Sequence, residues 1–258
     1  MRVVRDIGHV KRKRRIARLA AVFGFLMLGS VFLFVFFPTQ IVFAYGLLVI
    51  GFVAFNYGMR ELGKWSHNAR HQRDDLAIDE QLNGLNDKYV VLHYIQVGKK
   101  IIEHILVYPG GLLVITARDV PGKIVARGNR WKRSGTSMLR FFGMSGPQLG
   151  NPAVDTDQSI VSIEQTLKDA QLEYDVYGII VFTASTVELN VEDTDFDAIT
   201  LTELANFVRH LEVDPAFKNA ERDQLVDLLA QGEELERTER STTRRPVRVK
   251  RRAMSSKT

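Results

Sequence analysis

Two long uncharged runs dominate the pattern of apolar and polar positions near the N-terminus. From Ile16 to Phe37 the only charge is Arg18, close enough to one end to snorkel, and the run is rich in Phe, Leu and Val. About 22 residues at a rise of ~1.5 Å give roughly 33 Å, enough to cross a hydrocarbon core of about 30 Å. Pro38-Thr39-Gln40 breaks this run before a second one, Ile41 to Met59, which is also of spanning length. So short a break permits only a tight reversal. The pattern therefore predicts a transmembrane hairpin, helices 16–37 and 41–59, with both flanks on one side of the membrane. Ala20 and Gly24 form a small-xxx-small pair suited to helix contact or simply to close packing within the hairpin.

The charges that flank the runs set the orientation. Arg2, Arg5, Lys11, Arg12, Lys13, Arg14, Arg15 and Arg18 precede or open the first span, Arg60 and Lys64 follow the second, and the turn has none. The positive-inside rule then places both ends in the cytoplasm, with Tyr57 and Trp65 at the interface. A cleaved signal peptide has an apolar core of only about 7–15 residues, shorter than this run. The expected location is the cell membrane, a prokaryotic inner or plasma membrane, with the soluble part cytoplasmic and the basic termini able to touch anionic lipid.

Beyond the spans the period changes. A basic connector (60–71) leads into Asp74–Leu82, where Ile78, Leu82 and Leu85 have the spacing of a short amphipathic helix with acids at its N-terminal end. Tyr89–Val97, Ile101–Tyr108 and Leu112–Thr116 read as strands, the last two joined by the Pro109-Gly110-Gly111 turn, so an antiparallel meander is expected. Lys123–Arg127 and the surroundings of Trp131 read as peripheral strands, and Ser134–Pro152, with Phe141-Phe142 in its middle, as a mobile loop. Val154–Ala170 has helical spacing, Val176–Phe182 is a short β-branched run that suits a buried strand, and Thr202–Leu211 and Asn219–Leu235 close the fold as helices. The expected organisation is a basic N-terminus (1–15), the hairpin (16–59), the connector, an α/β domain (72–212), a C-terminal helix (213–236) and a disordered basic tail (237–258).

The absence of cysteine excludes disulfides, zinc-thiolate sites and thiol catalysis. A formal net charge of +5 and a pI near 9.4 favour polyanionic partners, nucleic acid or anionic lipid, without choosing between them.

The order helix, three-stranded meander, helix, strand is that of an α/β restriction-endonuclease-like core, here preceded by an all-α hairpin. Within it, Ile101-Ile102-Glu103-His104-Ile105, the Pro109-Gly110-Gly111 turn and Val114-Ile115-Thr116-Ala117-Arg118 resemble the signature of the nuclease-related domain (NERD) family. In that family a strand with Ile-Asp-His leads through such a turn to a strand ending in Glu-x-Lys. Leu85-Asn86-Asp87, Pro121-Gly122-Lys123-Ile124, Trp131 and Asn151-Pro152 followed by Gln158 extend the likeness over about residues 72–210. By this resemblance Glu103 stands for the Asp, Thr116 for the Glu and Arg118 for the Lys of a metal-dependent phosphodiesterase, with Asp75 as a further acid. Mg²⁺ or Mn²⁺ held by Asp75 and Glu103 would be the cofactor of an active site. Thr116, however, puts a neutral hydroxyl where a hard cation wants an anion, and Arg118 stays protonated and cannot serve as a base. Asp119 points to the other face of a regular strand and replaces Thr116 only through a bulge. The resemblance thus implies a degenerate centre, a pseudo-enzyme. The competing reading of Glu103 is a carboxylate paired with Arg118 across the hairpin. His93 and His104 read as structural histidines.

Arg118, Lys123, Arg127, Arg130, Lys132, Arg133 and Arg140, interleaved with Trp131, Phe141 and Phe142, suit phosphate contact and base stacking on single-stranded nucleic acid, or equally contact with a bilayer surface. Two functions follow. One is a membrane-anchored NERD-type protein that binds nucleic acid at the cytoplasmic face, in DNA processing by resemblance, its nuclease activity weakened or lost. The other is a non-catalytic membrane scaffold whose α/β domain recognises a protein partner.

Overall fold

The computed structural model describes residues 1–34, 41–65, 73–134, 148–231 and 234–238. Pro38-Thr39-Gln40, the second half of the connector, Arg140 with Phe141 and Phe142, and the basic tail beyond Thr238 lie outside these residues.

Within the basic N-terminus (1–15) the chain forms a strand and then enters a helix. β1 (Arg2–Asp6) pairs in parallel with β2 (Val90–Val97), Val3 opposite Val91, and antiparallel with β10 (Leu235–Thr238). Helix α1 (Ile7–Phe34) starts directly after it, well before the apolar run, and α2 (Ile41–Trp65) returns the chain. The helical hairpin is thus inserted between two neighbouring strands of one sheet. His9 near the start of α1 and Trp65 at the end of α2 both pack on Tyr94 of β2, so both roots of the hairpin sit at one end of the sheet.

The remaining elements are α3 (Asp74–Leu82), β3 (Lys100–Tyr108), β4 (Gly111–Arg118), β5 (Gly122–Arg127), β6 (Arg130–Arg133), α4 (Pro152–Asp169), β7 (Val176–Phe182), β8 (Val187–Glu192), β9 (Asp197–Thr200), α5 (Leu204–Arg209) and α6 (Asn219–Leu229). Seven strands form one sheet in the order β10-β1-β2-β3-β4-β7-β9, and β6-β5-β8 form a small second one. The expected meander is β2-β3-β4, and β7 joins β4 in parallel, as a crossover through α4 requires. The C-terminal helix is shorter than 213–236: it stops at Leu229, and Leu235–Thr238, read from sequence as helix end and tail, adds the edge strand β10. At the β3–β4 turn Gly111 has φ +137°, a conformation open to glycine, and a Cβ there would run into the Asp175 carbonyl that accepts the Leu112 N–H at 2.9 Å.

Both faces of the large sheet are covered, which explains strands with near-continuous apolar sequence. On one face Leu92, Ile105, Val107 and Val114 pack against Ile163 and Leu167 of α4 and Leu225 and Leu229 of α6. On the other, Val91, Leu106, Leu113 and Ile179 pack against Ile78 and Leu82 of α3 and Val208 of α5. The small sheet closes over Ile180 and Phe182 with Ile124, Ala126 and Trp131.

The two N-terminal helices are long and apolar enough to cross a membrane, and most of their side-chain surface is exposed, Phe25, Phe32, Val42 and Phe43 by 65–78%. Their mutual contact runs through Ala17, Ala21 and Gly24 of α1 and Gly51 and Gly58 of α2. Ala20, expected beside Gly24 at the contact, lies off this seam. Four- and three-residue steps from Ala17 select Ala21 and Gly24, as the helical period dictates.

Candidate functional site

The β3–β4 ladder pairs Tyr108 with Gly111 through Ile105 with Val114 and stops there. Continued in the same register, Glu103 would face Thr116, with Arg118 beyond, so the strands part at the positions that carry the motif. The cleft between them, of about 240 Å³, is lined by Lys100, Glu103, Thr116, Arg118 and, from α4, Asp155, Gln158 and Ser159. It opens at the end of the sheet where β1 runs into α1. There the hairpin roots dock: Trp65 and His9 pack on Tyr94 with ring centroids 5.3 and 5.9 Å away.

Helix α4 delivers Asp155. Asn151 accepts the Val154 N–H, Pro152 opens the helix, and Asp155 falls in the first turn. Its carboxylate takes the Arg118 guanidinium, which also lies 3.7 Å from Glu103 and donates from Nη1 to the Ala117 carbonyl and from Nε to the Leu149 carbonyl. Thr116 is committed as well, its hydroxyl 2.6 Å from that of Thr156. Lys100 donates to the Asp155 carbonyl at 3.1 Å. The sequence reading placed Glu103, Thr116 and Arg118 together and missed Asp155. The only local signal was an acid one turn into an Asn-Pro helix start, which reads equally well as a contribution to the helix dipole.

Crowding in the cleft pushes the Glu103 carboxyl above the usual range although 54% of its side chain reaches solvent; Arg118 draws it back and Asp155 opposes that. Asp74, at the start of α3, is pushed up to about 6, chiefly by burial, with Glu103 and Asp119 adding to the rise and the Thr183 hydroxyl, donating at 2.7 Å, opposing it. A raised carboxylate opposes folding when ionised: the penalty is absent below pH about 4, grows through pH 6 and is full above it. Asp74→Asn, which keeps the acceptor for Thr183, is expected to stabilise the protein by about 2 kcal/mol at pH 8 and to change nothing near pH 4. Thermal unfolding at the two pH values checks this.

Asp75 does not join Glu103. It is fully buried, 2.6 Å from Nε of Arg5 on β1 and held at 3.0 and 2.6 Å by Nε and Nη2 of Arg73, with the Tyr94 hydroxyl at 3.3 Å. Burial alone would raise its carboxyl, but the Arg73 hydrogen bonds and the charges of Arg5 and Arg73 hold it below the usual range. Consecutive residues of α3 separate the two roles, Asp74 turning towards Thr183 and Asp75 towards β1. Arg5 also binds Asp79, whose other oxygen lies 2.8 Å from His93 Nε2, and the Nδ1 atoms of His93 and His104 lie 2.7 Å apart, within hydrogen-bond distance. Burial keeps His104 neutral by lowering its pKa well below the ordinary value. Tyr94 completes this network at φ +57°, which interrupts the β2–β3 ladder so that His93 and Tyr94, neighbours in sequence, both reach α3.

The basic residues divide. Lys123, Arg127, Arg130 and Lys132 share the outer face of the β5–β6 ribbon, while Arg133, in step with the buried Trp131, turns inward. The strand β8, absent from the sequence reading, sets Glu188 beside Lys123 and Glu192 beside Arg127, the latter in an ion pair of 3.3 Å. Arg130 and Lys132, on the far strand, remain exposed. The ribbon's turn abuts the cleft: Asn151 donates to the Asn129 carbonyl at 3.1 Å.

A divalent cation does not suit this donor set. Asp155 and Glu103 face a guanidinium, Thr116 offers a hydroxyl already bonded to Thr156, and Asp75 is enclosed by Arg5 and Arg73. Among the described residues no group of three or more His, Asp or Glu is placed to hold a metal.

Residues 70–183 match the family model of the nuclease-related domain, NERD. No curated protein and no solved structure matches the chain. The match covers the helix, the meander, the cleft and the crossover into β7, so this part of the chain, set in a mixed α/β sheet that follows an N-terminal helical hairpin, is similar to the nuclease-related domain.

Proposed function

We propose that this chain is a membrane-anchored NERD-domain protein that binds nucleic acid at the cytoplasmic face and has lost its cleavage centre. One observation carries the reading: an exposed basic ribbon, Arg130 and Lys132, borders a cleft in which Arg118 is neutralised by Asp155 and Glu103 and Thr116 stands in the acidic position. Phosphates meet cations on the ribbon, and the cleft carboxylates Asp155 and Glu103 face the Arg118 guanidinium where hydrolysis would need them on a metal. The apolar hairpin keeps this surface next to the bilayer, both of its roots packing on Tyr94, and the basic residues of α1 beyond Lys11, which itself pairs with Glu234, face anionic lipid.

Full-length protein in neutral-lipid nanodiscs, titrated with labelled single-stranded DNA or RNA, tests the binding. The expected result is affinity that falls with salt, and an Arg130→Glu, Lys132→Glu double variant weaker by about tenfold or more with a shallower salt slope. Absence of binding to both nucleic acids at low ionic strength, or unchanged affinity in the double variant, overturns the reading.

A further inference from the structure

At the end of the sheet opposite the hairpin lies a groove of about 990 Å³ that the cleft chemistry does not use. Its carboxylates come from α4 (Glu164), from the loop into β7 (Glu173, Asp175) and from the approach and first turn of α6 (Asp214, Glu221); Lys168 is the one cation among its lining residues. Tyr174 and Phe217 form its aromatic part, edge to face at 6.2 Å. Acids around aromatic faces suit guanidinium groups, which pair with the first and stack on the second.

The chain itself supplies such groups. Residues 239–258 contain eight Lys and Arg against Glu239 alone. β10 runs antiparallel to β1, Thr238 opposite Val3, so this segment leaves the sheet at the end that carries the groove. Thr238 is three strands from β3, roughly 14 Å at ~4.8 Å per strand, and ten extended residues reach about 33 Å. The run also begins on the right helix: Arg237 binds Asp227 of α6 at 3.2 Å, less than two turns beyond Glu221 in the groove wall.

We infer that the basic segment 239–258 docks in the acidic groove of its own domain, on the side away from the membrane. A short tether gives it an effective concentration in the millimolar range, ahead of an untethered competitor. In this position the arm is held off nucleic acid and lipid until a polyanion competes for it.

The natural absence of cysteine allows a direct test. In detergent-solubilised full-length protein, Lys168→Cys with Val247→Cys is expected to form an intrachain disulfide at least about fivefold faster than Gln96→Cys with Val247→Cys, which uses an exposed site at the other end of the sheet. Glu173→Lys with Glu221→Lys, or 1 M salt, should abolish the difference. Equal rates for the two pairs, a disulfide only between two copies, or an advantage that survives charge reversal overturns the inference.

Discussion

Asp75→Ala is expected to destabilise the domain by about 3–5 kcal/mol, the usual penalty for removing one partner of a buried ion pair. The carboxylate is fully buried between Arg5 and Arg73, and its removal leaves Arg5, 13% exposed, facing only Asp79 and a distant Glu236. The consequence is topological as well as local, because Arg5 lies on β1 and Asp75 on α3, on opposite sides of the hairpin in sequence. Thermal unfolding should show a fall in Tm of about 10 °C or more. Lys11→Ala, which breaks the exposed pair with Glu234, should cost under about 1 kcal/mol. The pH dependence has a fixed sign. A carboxylate held below its ordinary pKa stabilises the fold above that ordinary value and loses the contribution as pH falls through the folded one, so the gap between wild type and Asp75→Ala narrows in acid. Asp74 next to it has the opposite sign. Equal Tm losses for Asp75→Ala and Lys11→Ala would contradict the burial of the clamp.

Gly58→Leu should separate the two hairpin helices. A Cβ at Gly58 would lie 2.7 Å from the Ala21 Cα and 2.8 Å from the Ala17 carbonyl oxygen, and backbone atoms cannot step aside as a side chain can. The expected loss is about 3 kcal/mol, at the upper end of overpacking effects. Gly46→Leu is the control, since nothing lies within 4 Å of its Cβ position. Unfolding in detergent, followed through the tryptophan fluorescence of Trp65 at the hairpin root, should report a much larger change for Gly58→Leu. Identical behaviour of the two variants would rule out the close seam.

Much of the fold is legible in the sequence because its signals are strong and local. Val176–Phe182 is a short β-branched run and Pro109-Gly110-Gly111 a turn, and both emerge where the pattern puts them, while the two long apolar runs fall within helices that extend beyond them at Ile7 and at Trp65. β1 and β10 were not legible. Both are short, with arginines at Arg2, Arg5 and Arg237 that read as membrane flanks or as tail, and their pairing joins the two ends of the chain across more than two hundred residues. β8 was missed because Val187–Glu192 alternates on an exposed edge with weak apolar weight.

The site was legible in part for a similar reason. Glu103, Thr116 and Arg118 lie on adjacent strands at motif spacing, so sequence alone sets them in one cleft. Asp155 reaches them from α4, well beyond β4 in sequence, and no spacing rule predicts that approach. Asp75 was drawn to the site by its position on α3, but one step along a helix turns a side chain by about 100° and sends Asp75 to Arg5 instead.

Nuclease activity is the most direct measurement of the central claim. Full-length protein in nanodiscs is incubated with labelled single- and double-stranded DNA and RNA in Mg²⁺ or Mn²⁺, beside Glu103→Ala. With Arg118 neutralised by Asp155 and Glu103 and with Thr116 in the acidic place, the predicted result is no cleavage above the Glu103→Ala background. Metal-dependent cleavage that disappears in Glu103→Ala would contradict the account and make this cleft a working nuclease centre.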